Sequence, residues 1–272
     1  MRLGAVSFPL TKLHDYGAWV AEAERWLEKA RTLQVDLLVF PEYFTLALET
    51  HAGFRDWMAR EFIPLFQSFS NATGMVVLAG THNIGTNTAF LFRPQQPVLR
   101  QNKIHLIPSE TDEDPRITPG SELVLAQVGD ARLATTICYD VEFPELARRA
   151  VRSGTNLLLC PSWTEKADGF YRVRYCAHAR AVENQLFVVH APLVGSLEPW
   201  GVAERACGSA AILAPSDSAF PPNGVLAEGK FSEADLAFAD VDFRLLASVR
   251  ESGAVRTYRD FMNPPTYEVT PC

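Results

Sequence analysis

Cysteine is scarce in this sequence, with five among 272 residues and no CxxC pair. An odd number of widely spaced cysteines does not fit a disulfide framework and is typical of reduced thiols in the cytoplasm. The sequence also lacks any run of about 18 apolar residues, the length that a membrane-spanning helix needs. The apolar N-terminal segment is interrupted at Pro9, too early for the core of a signal peptide. We therefore predict a cytoplasmic protein that does not interact with membranes.

Positive charge is in the minority. Lys and Arg number 25 against 32 Asp and Glu, which gives a net charge of −7, and no run of five basic residues occurs. Nucleic acids and anionic lipid surfaces attract basic patches, so we exclude both as main partners. The overall composition, 47% hydrophobic and 21% charged, is that of an ordinary globular protein.

Several motifs of cofactor and metal enzymes are missing from the sequence. There is no GxGxxG, GxSxG or HExxH motif, and the six histidines do not have the spacing of metal ligands. No combination of two cysteines with a histidine indicates a zinc site. The sequence thus predicts neither a bound metal ion nor a cofactor.

Apolar segments of strand length alternate with segments of helical periodicity along the whole chain. This alternation is typical of an α/β protein whose sheets are covered by helices. No linker divides the chain, so we predict one domain over residues 1–255, followed by an extended C-terminal arm over 256–272. The predicted strands are 2–8, 36–40, 75–81, 89–92, 133–138, 156–160, 185–190 and 208–213, and the predicted helices are 15–33, 54–70, 143–153 and 170–183.

One segment of the chain is echoed 120 residues later. A helix, a short link and the residues Asp36 to Glu42 recur as a helix, a short link and the residues Asn156 to Ser162. Any two αβ units resemble one another to this degree, so the echo has a trivial explanation. Its other interpretation is a pair of pseudo-symmetric halves, each of which contributes one sheet.

Three residues stand at positions where α/β proteins carry chemistry. Cys138 closes a predicted strand and precedes a helix with Pro144 at its first turn, where backbone N–H groups lower a thiol pKa and bind an oxyanion. Glu42 follows a buried strand and is either an idle exposed carboxylate or a partly buried base with a raised pKa. Lys103 ends another apolar stretch and is by itself an ordinary solvated charge. A structural role for Cys138 remains the alternative at this point.

Taken together, these segments resemble the nitrilase superfamily of carbon–nitrogen hydrolases. The resemblance runs from about residue 2 to residue 250, with Lys103 61 positions after Glu42 and Cys138 35 positions after Lys103. The segments that carry it are Pro41-Glu42, Lys103-Ile-His-Leu-Ile-Pro-Ser-Glu110, Ile137-Cys-Tyr-Asp-Val-Glu-Phe-Pro-Glu145, Pro161-Ser-Trp163, Ala179-Arg-Ala-Val-Glu-Asn184 and Gly208-Ser-Ala-Ala-Ile212.

The resemblance implies a fold, a set of catalytic residues and a reaction. The fold is a four-layer α-β-β-α sandwich, and Glu42, Lys103 and Cys138 form the catalytic triad. A second glutamate corresponds to Glu110, with Glu113 as a weaker rival. The implied reaction is cleavage of the C–N bond of a small amide through a thioester on Cys138, which releases ammonia or an amine and a carboxylic acid. The alternatives are a nitrile substrate, an N-carbamoyl amide, and a non-catalytic binding protein on the same scaffold.

Less can be predicted about the substrate pocket. The backbone N–H of Tyr139 is expected to join Lys103 in holding the oxyanion. Of Arg172 and Arg174, which lie two positions apart on one helix, at most one is expected to reach a substrate carboxylate. Aromatic candidates for the pocket wall, each equally compatible with a place in the core, are Tyr43, Phe44, Phe143, Trp163 and Trp200.

The sequence also predicts a homodimer or a larger homo-oligomer. Helix 170–183 has apolar residues on more than one face, and the C-terminal arm carries aromatic residues that cannot build a core of their own. An isologous contact would bury both features. The alternative is an arm that folds back over its own subunit. The resemblance favours association, since members of the superfamily generally associate through these regions.

Overall fold

The apolar segments form strands and helices in the predicted order. The computed structural model of the protein describes residues 1–11, 15–49, 51–113, 117–196 and 205–266. The strands are β1 (Arg2–Leu10), β2 (Leu37–Val39), β3 (Val76–Asn83), β4 (Asn87–Phe92), β5 (Leu99–Asn102), β6 (Leu125–Val128), β7 (Ala131–Thr135), β8 (Leu157–Ser162), β9 (Phe187–Gly195), β10 (Ala211–Leu213), β11 (Val225–Glu228) and β12 (Asp235–Asp240). The α-helices are α1 (Tyr16–Thr32), α2 (Phe54–Trp57), α3 (Ile63–Thr73), α4 (Pro144–Arg152), α5 (Ala167–Asn184), α6 (Phe243–Ser252) and α7 (Thr257–Met262).

The strands form two sheets of six. The first has the order β12-β1-β2-β3-β4-β5 and the second the order β6-β7-β8-β9-β10-β11. In each sheet an antiparallel edge strand leads into three parallel strands, which are followed by two antiparallel ones. The sheets are joined where Phe8–Leu10 of β1 pair with Leu193–Gly195 of β9.

The equivalent order of strands in the two sheets explains the sequence echo. The strand β2 lies between two parallel neighbours in the first sheet, and β8 lies between two parallel neighbours in the second. The repeated segment therefore occupies the same place in two pseudo-symmetric halves, as the second interpretation of the echo supposed. Glu42 and Trp163 each come shortly after one of these paired strands.

Alternation along the strands builds four layers. Leu37 and Val39 of β2 pack into the apolar cluster that also contains the second sheet. Leu38, between them, faces the other way and packs with Trp19 of α1 and Phe66 of α3. The helices α4 and α5 bury their apolar residues in the cluster of the second sheet. The predicted α-β-β-α sandwich is confirmed.

One predicted helix is not continuous. The segment 54–70 was expected to form a single helix, but α2 and α3 are separated by a π-helical turn over Met58–Phe62. Pro64 lies in the first turn of α3. Because proline has no N–H to donate, it fits the start of a helix and disfavours an uninterrupted ladder of hydrogen bonds through this point.

The C-terminal segment differs from the predicted extended arm. Its described part forms the short helix α7, and its Tyr258 and Phe261 pack on the chain's own core cluster. Arg148 and Arg152 lie over the ring of Phe261 at 4.0 and 4.8 Å, and Arg250 lies over Tyr258 at 4.1 Å. These cations supply a surface within the same subunit, so the expectation of an extended conformation is wrong for these residues. Residues 267–272 lie outside the described ranges.

The helices of the described residues can be compared with what a membrane-spanning helix needs. None of them combines the length and the apolar character that crossing a bilayer requires.

Candidate active site

Glu42 lies in a tight turn that follows β2. The turn packs directly on β3, since Thr81 N donates to Pro41 O at 3.1 Å and Phe44 N donates to Thr81 O at 3.0 Å. Gly80 makes this packing possible. It has φ +66°, and a Cβ atom there would collide with the Pro41 carbonyl and with Phe44. The glutamate is thereby directed inward, and its side chain is only 2% exposed.

Cys138 begins a 3₁₀ turn instead of ending a strand. The strand β7 stops at Thr135, and the turn covers Cys138–Glu142. Cys138 has φ +47°, in the left-handed region that non-glycine residues rarely adopt. Such strain persists only where the surrounding structure enforces it, and it concentrates at functional sites. The thiol is buried and its Sγ donates to the carbonyl oxygen of Trp163 at 3.5 Å.

Lys103 follows β5 and ends between two carboxylates. Its Nζ lies 2.8 Å from Glu42 Oε1 and 2.8 Å from Glu110 Oε2. The three side chains are between 1% and 4% exposed. An ammonium group has three N–H donors, so two are directed at the carboxylates and one is left for a further acceptor.

Asn87, the first residue of β4, connects the two carboxylates. Its Nδ2 donates to Glu42 Oε1 at 2.9 Å and to Glu110 Oε1 at 2.8 Å, while its backbone carbonyl accepts from Lys103 N at 2.8 Å. Sequence reasoning missed this residue, because it belongs to none of the quoted motifs. The available signal was an asparagine two positions before the apolar segment 89–92.

Tyr43 and Trp163 complete the hydrogen bonding of the carboxylates. The Tyr43 hydroxyl donates to Glu110 Oε1 at 2.9 Å, and Trp163 N donates to Glu42 Oε2 at 3.0 Å. The two rings meet edge to face with centroids 5.2 Å apart. Both residues thus contact the charged cluster, one through its hydroxyl and the other through its backbone.

The environment separates the pKa values of the two glutamates. Burial raises the pKa of Glu42, and although the nearby Lys103 ammonium opposes this, the pKa stays above its ordinary value. Burial also acts on Glu110, but there Lys103, Asn87 and the Ile107 N–H prevail and lower the pKa. A pair of carboxylates with diverging pKa values indicates a division of roles between a proton acceptor and a permanent anion.

The thiol and the lysine stay protonated in the resting site. Burial raises the pKa of Cys138 well above its ordinary value, and the Glu42 carboxylate raises it further. The expectation of a lowered thiol pKa is therefore wrong, because burial outweighs the turn. Burial alone would lower the pKa of Lys103, but the Glu42 and Glu110 carboxylates reverse the shift and raise it.

The remaining aromatic candidates have different surroundings. Phe143 stacks on His105 with centroids 3.6 Å apart, and the ring of Tyr139 meets Phe143 edge to face at 4.9 Å. Phe44 is buried in the core cluster of the first sheet. Trp200 and the side chain of Glu113, the rival of Glu110, lie outside the described residues.

Arg172 and Arg174 differ in what they contact. Arg174 is buried and donates to His190 Nδ1, Glu228 and the carbonyl oxygen of Ser209, so it is fully used inside the protein. The Arg172 side chain is 56% exposed, donates to Glu142 at 2.8 Å, and its pKa is raised mainly by that hydrogen bond, with a contribution from Cys138. Of the two arginines, only Arg172 has an exposed side chain.

The described ranges also show which possible metal ligands lie close together. They contain no cluster of three or more His, Cys, Asp or Glu side chains that could hold a metal ion. The carboxylates of the site are instead neutralised in part by Lys103.

Known proteins of similar sequence or fold indicate the family to which this protein belongs. The chain is 30% identical over 274 residues to the probable hydrolase YhcX of Bacillus subtilis, with 96% of this chain covered, although it spans only 53% of that relative's length. Its fold matches Saccharomyces cerevisiae Nit3, a member of branch 10 of the nitrilase superfamily, with a TM-score of 0.75 and 21% identity over 92% of this chain and 93% of that one.

A second solved structure is an amidase from Nesterenkonia sp. AN1, described with acrylamide added at its active-site cysteine. It matches with a TM-score of 0.70 and 21% identity, covering 92% of this chain and 97% of that one. The family model for carbon-nitrogen hydrolases matches residues 7–251, nearly the whole length of the chain. The predicted resemblance to carbon–nitrogen hydrolases is confirmed, and the protein is a member of the carbon-nitrogen hydrolase family.

Proposed function

We propose that this protein is an amidase that cleaves small amides through a thioester on Cys138. The observation that carries the proposal is the buried cluster in which Lys103 lies 2.8 Å from both Glu42 and Glu110, beside the thiol. Buried charges are costly unless paired, and a cluster that retains a net negative charge is more than a packing device. It is suited to moving protons next to a nucleophile.

The first step is proton transfer from Cys138 to Glu42. Before transfer the cluster holds two carboxylates and one ammonium ion, a net charge of −1, and after transfer it holds one thiolate, one carboxylate and the ammonium ion, again −1. Because the net charge of the buried site does not change, the transfer avoids the cost of creating a new unpaired charge. The raised pKa of Glu42 favours it as the acceptor.

The thiolate then attacks the amide carbonyl carbon. The remaining N–H of Lys103 and the backbone N–H of Tyr139 would hold the oxyanion that develops, at about 3–4 kcal/mol for each such donor. Glu110, whose pKa is lowered, stays ionised and fixes Lys103 through the 2.8 Å contact. Glu42 returns its proton to the leaving nitrogen, so that the C–N bond breaks and ammonia or an amine departs.

Hydrolysis of the thioester reuses the same base. With its proton given up, Glu42 is again a carboxylate and takes a proton from water as the water oxygen attacks the acyl carbon. Collapse of the tetrahedral intermediate breaks the C–S bond and releases the carboxylic acid, and Glu42 passes the proton taken from water to the departing thiolate of Cys138. Dividing a slow reaction into two covalent steps is the usual benefit of a nucleophile of this kind.

An amide is favoured over a nitrile by the relatives, since one matched structure is described as an amidase. A nitrile would react through the same residues, and an N-carbamoyl amide would differ only in its acyl group. Arg172 suits a substrate that carries a carboxylate, because its side chain is exposed and is paired with Glu142, the last residue of the turn that begins at Cys138. A non-catalytic binding protein would not need the complete cluster.

The test combines mass spectrometry with a substrate panel. Neutral aliphatic amides, aromatic amides, dicarboxylic monoamides, carbamoyl compounds and nitriles are incubated with the protein, and released ammonia and intact mass are measured. We expect turnover of an amide and an acyl adduct on the wild type that Cys138→Ala lacks. Cys160→Ala is the matched control, because Cys160 is a second buried thiol near Cys138. Turnover by Cys138→Ala within tenfold of wild type would refute the proposal.

We also propose that two copies of the chain associate through an aromatic patch formed by Tyr171 and Tyr175 of α5 and by Phe231. Their side chains are 45%, 66% and 45% exposed. Tyr171 stacks between the other two, with centroids 5.7 Å from Tyr175 and 6.1 Å from Phe231. Exposed aromatic groups of this kind mark interaction sites, and a self-complementary contact is the commonest way to cover them.

The proposed compartment is the cytoplasm. Four cysteines of the described residues are free thiols, among them the proposed nucleophile. A reducing compartment keeps such a thiol available for catalysis.

A further inference from the structure

The buried carboxylate of Asp140 binds the backbone on both sides of the active site. Its Oδ1 accepts from His105 N at 2.8 Å, and its Oδ2 accepts from Ile104 N at 3.3 Å and from Ile137 N at 3.2 Å. Ile104 directly follows Lys103, and Ile137 directly precedes Cys138. One side chain therefore connects the segment of the lysine to the segment of the nucleophile.

These two segments are carried by different sheets. Lys103 follows β5, the edge strand of the first sheet, and Cys138 follows β7 in the second sheet. The two strands belong to different sheets and are not hydrogen-bonded to each other. Backbone N–H groups that are buried need acceptors, and Asp140 satisfies donors of both segments at once. The Asp140 carboxylate thus satisfies buried N–H groups and connects the two segments.

The ring of His105 strengthens the link. Its Nδ1 lies 2.9 Å from Asp140 Oδ1, and its face stacks on Phe143 at 3.6 Å with an interplanar angle of 7°. Asp140 and Phe143 both belong to the segment of the nucleophile. The residue two positions after Lys103 is therefore held between two residues that follow Cys138.

Asp140 also closes the strained turn itself. Its backbone N donates to Ile137 O at 2.9 Å while its carboxylate accepts from Ile137 N at 3.2 Å. Both polar groups of the residue before Cys138 are bound in this way. The left-handed conformation of Cys138 needs such enforcement from its surroundings.

We propose that Asp140 is a positioning residue that sets the distance and orientation of the Lys103 ammonium relative to the Cys138 thiol. The inference rests on the proposed amide hydrolysis, in which Lys103 holds the oxyanion formed by attack of that thiol. Asp140 does not touch the reacting atoms and acts only through the backbone that carries them. Its loss therefore impairs the steps that build the oxyanion more than it impairs the thiol itself.

The test uses Asp140→Asn, in which an amide NH₂ replaces one of the accepting oxygens. The matched control is Asp217→Asn, because Asp217 is another buried aspartate that binds the backbone N–H groups of Ser218 and Ala254, away from the catalytic cluster. Three quantities are measured on each protein: kcat and KM for the best amide, the thermal midpoint, and the rate at which iodoacetamide alkylates Cys138. Alkylation at carbon forms no oxyanion, so its rate reports on the thiol and not on the donors that hold an oxyanion.

We expect Asp140→Asn to lower kcat by about a hundredfold, as misplacement by about 1 Å does, with KM nearly unchanged. Its alkylation rate should stay close to that of wild type, and its thermal midpoint should fall no further than that of Asp217→Asn. A wild-type kcat in Asp140→Asn would overturn the proposal. So would a parallel fall of kcat, alkylation rate and thermal midpoint beyond the control, since Asp140 would then be only a structural anchor.

Two further cases need their own measurement: an Asp140→Asn variant that does not fold, and a wild-type protein that hydrolyses no amide. If Asp140→Asn does not fold, His105→Leu replaces it, because this variant keeps the backbone hydrogen bonds and removes the ring that Asp140 and Phe143 hold. A smaller fall in kcat is then expected, and an unchanged kcat overturns the proposal. A wild-type protein that hydrolyses no amide overturns the proposed function and this inference together, whereas an active wild type with an unaffected variant overturns this inference alone.

Discussion

The backbone nitrogen of Trp163 donates a 3.0 Å hydrogen bond to Oε2 of Glu42, across 121 residues of sequence. The two residues come after β2 and β8, the strands with equivalent places in the two sheets. The carbonyl oxygen of Trp163 also accepts from the thiol of Cys138 at 3.5 Å. A single residue of the second half therefore contacts both the proposed base and the proposed nucleophile, and it orients one toward the other.

Replacing Lys103 by methionine should abolish activity while the protein stays folded. The variant loses an oxyanion donor, which typically costs a factor of about 10² to 10³ in kcat. It also leaves Glu42 and Glu110 without their shared cation, so the pKa of each carboxylate should rise. Steady-state kinetics and circular dichroism check the two parts. Activity near the wild-type level would remove Lys103 from the oxyanion site.

The choice of Glu110 as the second glutamate can be tested against its neighbour Glu113. Glu110 contacts Lys103, Asn87 and Tyr43, so Glu110→Gln should weaken the hold on the lysine and lower kcat strongly. Glu113→Gln is the matched substitution and should leave kcat near the wild-type value. If only Glu113→Gln is inactive, the assignment of the second glutamate is wrong.

In the pH–rate profile, the fall of activity on the acidic side (the acidic limb) should occur at a higher pH than the ionisation of an ordinary glutamate would give. Glu42 must be ionised to take the thiol proton, and its pKa is raised, so kcat/KM falls as pH drops through a value above that of an ordinary glutamate. Asn87→Leu removes a donor that stabilises both carboxylates, which should move the limb to still higher pH. Asn102→Leu, at an asparagine that binds Thr88, serves as the control and should keep the wild-type profile. An unchanged limb in Asn87→Leu would contradict this account of Glu42.

Light scattering at micromolar concentration should give twice the chain mass of 30.2 kDa. Tyr175→Glu places a charge in the aromatic patch of α5 and should shift the mass toward the single chain. Phe238→Glu is the control, since Phe238 is 40% exposed on β12. A wild-type mass near 30.2 kDa, or equal effects of the two substitutions, would refute the proposed interface.

The sequence could predict where the site lies but not how its charges behave. Glu42 and Cys138 come shortly after the buried strands β2 and β7, Lys103 directly follows the edge strand β5, and strand ends of α/β sheets collect functional groups. The pKa of Cys138 depends on how completely the two sheets exclude water, which local sequence does not encode. The role of Asn87 depends on the same packing, because its two acceptors come from distant segments. The helix α7 was missed since a short segment gains its stability from the surface that it covers.

The proposed catalytic groups are divided between the two sheets, with Glu42 and Lys103 carried by the first and Cys138 by the second. Among the residues that the structure describes, direct strand pairing joins the sheets only over Phe8–Leu10 of β1 and Leu193–Gly195 of β9. A small slide of one sheet over the other would therefore open the gap between base and nucleophile while every other strand pair stayed intact. The rate of the proposed reaction should therefore respond to smaller shifts between the two sheets than a spectroscopic signal of secondary structure does.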